Sequence, residues 1–184
     1  MSKFYFVRHG ESEANASGIV AGASNPKLTL LGLDQARTAG EKLKDKNVGL
    51  IICSPMLRAQ QTAEIIAGEL GIAIDRVKIV DELQERGLGE CNGKPKDMDN
   101  DSYINLDSER GFEPHEQLIA RMSKALEIID KTFKHSDGNL LVIGHAVSGF
   151  FLRQVAKNRS DFAEFDRYDH VENADYVEVE IKND

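Results

Sequence analysis

Hydrophobic positions along the chain fall into two alternating kinds of segment. The first kind is short and continuous. Lys3–Val7 is rich in aromatic and β-branched residues, and Val48–Cys53 and Leu140–Ile143 are apolar runs of the buried-strand type. Ile72–Val80 is a weaker strand candidate. Asp175–Lys182, with Tyr176, Val177, Val179 and Ile181, carries the alternation of a final strand at a sheet edge.

The second kind repeats with the period of a helix. One such segment runs from about Leu30 to Lys46, with Thr29 as N-cap and Leu33, Ala36, Gly40 and Leu43 on one face. The next takes Ser54 as N-cap and Pro55 as its first residue, and runs to Leu70 with Gly71 as terminator. About Pro114–Phe133 carries a stripe of Leu118, Met122, Ala125, Leu126, Ile129 and Phe133, and a fourth helix, about Val147–Lys157, follows His145. Strands alternating with helices predict an α/β fold, a three-layer sandwich with a mostly parallel central sheet and helices on both faces. Asp81–Gly111 is polar, bears glycines and is too long for a plain connection, so it reads as a functional loop or small subdomain. No repeat, low-complexity tract or linker divides the 184 residues, which are expected to form a single domain.

Composition narrows the partners. Asp and Glu outnumber Lys and Arg by 31 to 23, for a formal charge of −8. Such a surface repels nucleic acid and anionic membrane, and neither is expected as a partner. An anionic substrate must then be held by local arginines against the overall field. Cys53 and Cys91 form no CxxC pair and no His/Cys cluster, so no metal site is expected. Two scattered thiols suit a reduced, cytoplasmic protein. The run before Arg8 is too short for a signal peptide, and no apolar stretch approaches the length of a membrane span.

The candidate chemistry sits where strands end. Arg8-His9-Gly10-Glu11-Ser12 follows the first strand, with Asn15 three residues later. The second strand ends in Ser54-Pro55 and places Arg58 in the first turn of its helix. The strand at Leu140–Ile143 ends in Gly144-His145-Ala146. In a parallel sheet, sites gather at the carboxyl ends of strands. Two arginines and two histidines converging there would make an anion site, because a guanidinium fork matches phosphate oxygens and helix N-termini add oriented N–H groups.

These blocks resemble the histidine phosphatase superfamily, the phosphoglycerate mutase-like proteins. The resemblance rests on Arg8-His9-Gly10-Glu11-Ser12 with Asn15, and on Leu28-Thr29, Gly32 and Gln35-Ala36. It continues through Ser54-Pro55, Arg58-Ala59 and Gln61-Thr62-Ala63, then Leu83-Gln84-Glu85, Gly89 and Gly93, and finally Gly144-His145. A weaker block, Gly111-Phe112-Glu113 with Arg121, is similar to the family's Gly-Gly-Glu helix start. The resemblance implies that His9 is the nucleophile that becomes phosphohistidine. It implies that Arg8, Arg58 and His145 hold the phosphoryl oxygens, and that Glu85 protonates the leaving oxygen. Asn15, the Gly22 region and Ala146 would line the substrate wall. No cofactor is implied. The chain departs from the family where Leu88 replaces an aromatic, Cys91 a tryptophan and Ala146 a glycine, all beside the expected pocket.

Elementary chemistry agrees with these roles. A neutral imidazole is a competent nucleophile near pH 7, and it splits one difficult transfer into two easier ones. Two arginines can stabilise charge on the equatorial oxygens without a metal. A departing alkoxide needs a proton, which a carboxylic acid can give.

Three activities fit: a phosphatase, a cofactor-dependent mutase, and an inactive module that binds a phosphorylated ligand. The span from Glu85 to His145 is short and lacks an Arg-Arg pair, and few residues follow the last strand, which favours hydrolysis over a mutase that must exclude water. The expected substrate is a small phosphorylated molecule or a phosphoprotein; the oligomeric state is not legible. Asp81, Glu82 and Glu90 are neighbouring acids that could replace Glu85. Arg86 and Lys94 are expected to face water, Cys53 to be core, and His115, His135 and His170 to lie on the surface.

Overall fold

The computed structural model describes residues 3–96, 111–134, 136–158 and 171–182. Five strands form one sheet: β1 (Lys3–Arg8), β2 (Val48–Cys53), β3 (Val77–Ile79), β4 (Asn139–Gly144) and β5 (Tyr176–Glu180). Their order across the sheet is β3-β2-β4-β1-β5. The first four run parallel, and β5 pairs antiparallel to β1 at the edge.

Helices cover both faces, giving the expected three layers. α2 (Leu30–Lys42) and α3 (Leu57–Leu70) pack on one face, where Ala39, Ala63, Ile66 and Ala67 meet Tyr5, Val7, Ile51, Leu141 and Ile143. α4 (His115–Phe133) and α5 (Ala146–Ala156) cover the other, where Leu118, Met122, Phe150 and Phe151 meet Phe4, Phe6, Ile52, Leu140 and Val142. Neighbouring residues of a strand point to opposite faces, so a strand covered on both sides must be apolar throughout. This is why β1, β2 and β4 read as continuous apolar runs. Among the described residues no helix is long and apolar enough to cross a membrane.

The strand register levels the site. Arg8 pairs with Gly144 and Cys53 with Ile143. The next residues, His9, Ser54 and His145, therefore leave the sheet at one edge. The His9 N–H donates to the Gly144 carbonyl and the Ser54 N–H to the Ile143 carbonyl, each at 3.0 Å.

Three boundaries differ from the sequence expectation. Ile72–Val80 supplies only the three-residue strand β3, preceded by a 3-10 turn at Ile74–Arg76. β3 is an edge strand with Ile79 54% exposed, so its pattern was never shaped by two-sided burial. α2 stops at Lys42 and continues as a 3-10 turn over Lys44–Lys46. α3 starts two residues later than its sequence suggests, with Met56 rather than Ser54 as N-cap; Ser54 Oγ accepts from the Met56 N–H and also contacts His145.

Candidate active site

The first turn after β1 is held from three sides by motif residues. Thr29 caps α2, its Oγ1 accepting from the Gly32 N–H at 3.0 Å and donating to the Glu11 carboxylate at 2.7 Å. Gln35 accepts from the Glu11 N–H at 2.8 Å, and Thr62 accepts from the Gly10 N–H at 3.1 Å. The first turn of α2 lies so close that a Cβ on Gly10 would sit 2.4 Å from the Gly32 carbonyl oxygen. Neither backbone could move aside, so glycine is required at that contact. The residues 171–175 close the third side. The Ala174 N–H donates to the Arg8 carbonyl at 2.9 Å, and the Asn173 amide donates to the His9 carbonyl at 2.8 Å.

Within this frame His9 is buried and has a defined proton arrangement. Its Nδ1 lies 2.7 Å from the Gly10 carbonyl oxygen, which can only accept, so Nδ1 carries the hydrogen. The Nε2 lone pair is then exposed to the cavity side, where Arg58 Nε donates to it at 3.1 Å. Burial first, then the Arg58 and Arg8 guanidiniums, hold the His9 imidazolium well below its usual range. The ring is therefore neutral at physiological pH.

Arg58 is fully buried and anchored by backbone carbonyls. Its terminal nitrogens donate to the Ser24 and Gly22 carbonyls at 2.9 and 3.2 Å. Burial weakens its hold on its proton and Glu85 opposes that effect. Gly22 serves twice, as this acceptor and as cavity wall. Its φ of +45° is unfavourable for other residues, and a Cβ would collide with the Asn92 side chain. Arg8 donates to the Val171 carbonyl at 3.1 Å and also lines the cavity.

His145 is completely buried, with its ring centroid 5.1 Å from that of His9. Its Nε2 lies 2.7 Å from Ser54 Oγ. Burial first, then Arg58, His9 and Arg8, hold its imidazolium well below the usual range. Immediately after it, α5 begins, and the Glu85 carboxylate sits at that N-terminus. Its oxygens accept from the Ser148 N–H at 2.9 Å, the Val147 N–H at 3.3 Å and the Arg86 N–H at 2.9 Å.

A cavity of about 80 Å³ lies beside these groups; His145, expected to hold substrate, is buried next to His9 and is not part of the cavity lining. Arg8, His9, Arg58 and Glu85 line its floor, and Ala146, Val147, Asn15 and Gly22 stand around it. Asn15 has both roles its position allowed: it closes a capping box with Ser12 on the short helix α1 (Glu13–Ala16), and it reaches the cavity. The remaining wall is apolar, built from Ile19, Val20, Ala21 and Leu88, with Lys96 also lining it.

Sequence reasoning missed several supports. Arg86, expected in water, is completely buried; its Nε donates to the Glu113 carbonyl at 2.9 Å and it lies over the Phe112 ring. Glu113 and Arg121 form a bidentate pair, both contacts 2.7 Å, and Arg121 also donates to the Glu82 and Gln84 carbonyls at 2.6 and 2.8 Å. The Gly111–Glu113 block thereby braces the loop that carries Glu85. The sequence offered that block as a faint signal and offered none for Asn173. His115 is half-buried against Phe151 rather than on the surface, while His135 and His170 lie outside the described residues. Lys94 is exposed as expected. Cys53 is core: burial pushes its thiol up to about 12.

Fold and site together define an α/β domain with a cationic, histidine-bearing pocket at the carboxyl edge of its sheet. The chain belongs to the histidine phosphatase superfamily, branch 1, whose family model matches residues 4–184. It is 44% identical over 94 residues to a 2,3-bisphosphoglycerate-dependent phosphoglycerate mutase of Methylobacterium sp. (strain 4-46), a match covering 50% of this chain and 45% of the relative. It is 29% identical over 153 residues to the uncharacterized phosphatase PhoE of Bacillus subtilis (strain 168), covering 80% and 74% of the two chains. Its fold matches a mycobacterial glucosyl-3-phosphoglycerate phosphatase, solved in complex with VO3, with a TM-score of 0.83 at 20% identity over 97% of this chain and 90% of that one.

Proposed function

We propose that the chain is a phosphatase, a single catalytic domain that hydrolyses small phosphomonoesters through a phosphohistidine on His9. The observation that carries this reading is the fixed tautomer of His9. Its Nδ1–H is tied to the Gly10 carbonyl, and its Nε2 lone pair accepts from Arg58.

In the first step Nε2 attacks phosphorus and the ester P–O bond breaks. Arg8, Arg58 and His145 stabilise the charge on the transferred oxygens. Glu85 gives its proton to the leaving oxygen. In the second step the Glu85 carboxylate takes a proton from water, whose oxygen attacks phosphorus; phosphate leaves and His9 returns to its neutral form. The arginines supply the positive charge, so the reaction needs no metal. Two free thiols, one of them deep in the core, suit a reducing cytoplasm.

A mutase is the second reading, favoured by the 44% identical relative that carries that name. Rapid quench with labelled phosphomonoester, in excess EDTA, tests the chemistry common to both. An acid-labile, base-stable phosphoenzyme should form and should vanish in His9→Ala. Label that survives this substitution, or activity that EDTA abolishes and a divalent ion restores, would refute the mechanism. Comparing phosphate release with isomerisation of 3-phosphoglycerate primed by 2,3-bisphosphoglycerate separates the two activities. Isomerisation outpacing release would overturn the phosphatase assignment.

A further inference from the structure

We propose that Ser54 is a positioning residue, which fixes His145 as the neutral tautomer with its hydrogen on Nδ1, the hydrogen that a phosphoryl oxygen at His9 accepts. The catalytic part of this inference rests on the phosphoryl-transfer reading above; the tautomer itself does not.

The argument is a count of hydrogen bonds in a closed space. Ser54 and His145 are both completely buried. Ser54 Oγ accepts from the Met56 N–H at 3.3 Å and lies 2.7 Å from His145 Nε2. The His145 Nδ1 atom is buried and has no hydrogen-bond partner among the described residues. A neutral imidazole has one donor and one acceptor, so two arrangements are open.

If Nε2 carried the hydrogen and donated to Ser54, the serine hydroxyl would accept twice. Its own hydrogen would then have no acceptor, and the Nδ1 lone pair would also be unpaired. If instead the Ser54 hydroxyl donates to Nε2, every polar atom of Ser54 is used and only the Nδ1–H remains. Each buried unmet group is costly, so the second arrangement, with one such group instead of two, is preferred. A doubly protonated ring is opposed by burial and by the nearby Arg58 and Arg8.

The single unmet group in the preferred arrangement is a donor, and it belongs to a ring packed against the nucleophile. His145 stands 5.1 Å from the His9 ring, with Arg58 and Arg8 close to both. An oxyanion held at His9 would accept the Nδ1–H, whereas the other tautomer would offer it a lone pair. The serine hydroxyl thus works in both directions, accepting from the Met56 N–H ahead of α3 and reaching His145 across the sheet edge.

Nitrogen-15 NMR of the imidazoles tests this without turnover. In the free enzyme, His145 should show a protonated Nδ1 and a pyridine-type Nε2, and inorganic phosphate should move the Nδ1 signal most. Ser54→Ala should give a mixture of tautomers and weaken phosphate binding by about tenfold, the loss of one buried hydrogen bond. Ser54→Cys, which keeps a weak donor, should fall between. A hydrogen on Nε2 in the unsubstituted protein would overturn the proposal and requires no variant to fold. So would an unchanged tautomer, or unchanged phosphate affinity, in a folded Ser54→Ala. An enzyme with the expected tautomer that binds phosphate yet hydrolyses no ester would instead sink the phosphatase reading alone.

Discussion

Arg121 lies away from the cavity, yet its removal should damage catalysis in a recognisable way. It holds both oxygens of Glu113 and the carbonyls of Glu82 and Gln84. The Glu113 carboxylate in turn accepts from the Gly87 N–H, and the Glu113 N–H donates to the Gly87 carbonyl, so the segment bearing Glu85 is gripped on both flanks. In Arg121→Ala the Glu113 carboxylate, 18% exposed, loses its partner, and two carbonyls lose a charged donor. A fully buried broken pair costs about 3–5 kcal/mol, and the residual exposure of both partners reduces this to about 2–4 kcal/mol. For a chain of this size that corresponds to a fall in Tm of about 4–16 °C. Beyond stability, Glu85 should lose its aim. Below the lowered Tm, kcat/KM should therefore fall more on an alkyl phosphate, whose leaving oxygen needs a proton, than on p-nitrophenyl phosphate, whose leaving group departs unaided. Arg121→Lys should recover only part of the stability, since an ammonium cannot make the forked contact. Unchanged Tm, or equal losses on both esters, would refute the bracing role.

Glu85→Gln should show the same leaving-group signature more strongly, with a loss of roughly a hundredfold or more on alkyl esters and little on the aryl ester. Arg58→Ala should slow both alike because it serves the phosphoryl group common to them; equal losses for Glu85→Gln would move the acid role to Glu82 or Glu90. Stability should fall with acid. His9 and His145 have imidazolium pKa values held below the 6.5 of an exposed ring, so the unfolded chain takes up protons first and gains on the folded one as pH drops below about 6.5. Thermal unfolding between pH 7 and 5 should show this decline, and it should be shallower in a His9→Asn, His145→Asn double variant; a decline equally steep in that variant would assign it to other groups.

The three-layer sandwich was legible because β1, β2 and β4 are covered on both faces and must be apolar at every position. The reacting groups were legible because each follows such a strand directly, so locating the strand located the residue. What could not be read depended on partners distant in the chain. Arg86 sits in a polar stretch and looks solvated until Glu113 and Phe112 close over it. Ser54 looks like a helix cap until β4 delivers His145 beside it. Asn173 has no pattern around it, and its role appears only when β5 lies antiparallel to β1.

That antiparallel closure bears on how the protein is made. Of the five strands β1 is made first, yet it sits between β4 and β5, the two made last. Its Phe4 and Phe6 face the side covered by α4 and α5, so that cover waits until more than a hundred further residues have followed, roughly ten seconds at typical elongation rates. Such non-local pairing makes for slow folding, and an unpaired apolar strand invites chaperones or aggregation meanwhile. The loop bearing the nucleophile is completed by the same late segment, which supplies Asn173 and Ala174. Reactivity at His9 should therefore be acquired abruptly, only once the 171–175 segment has docked, and its appearance would time that docking event of the fold.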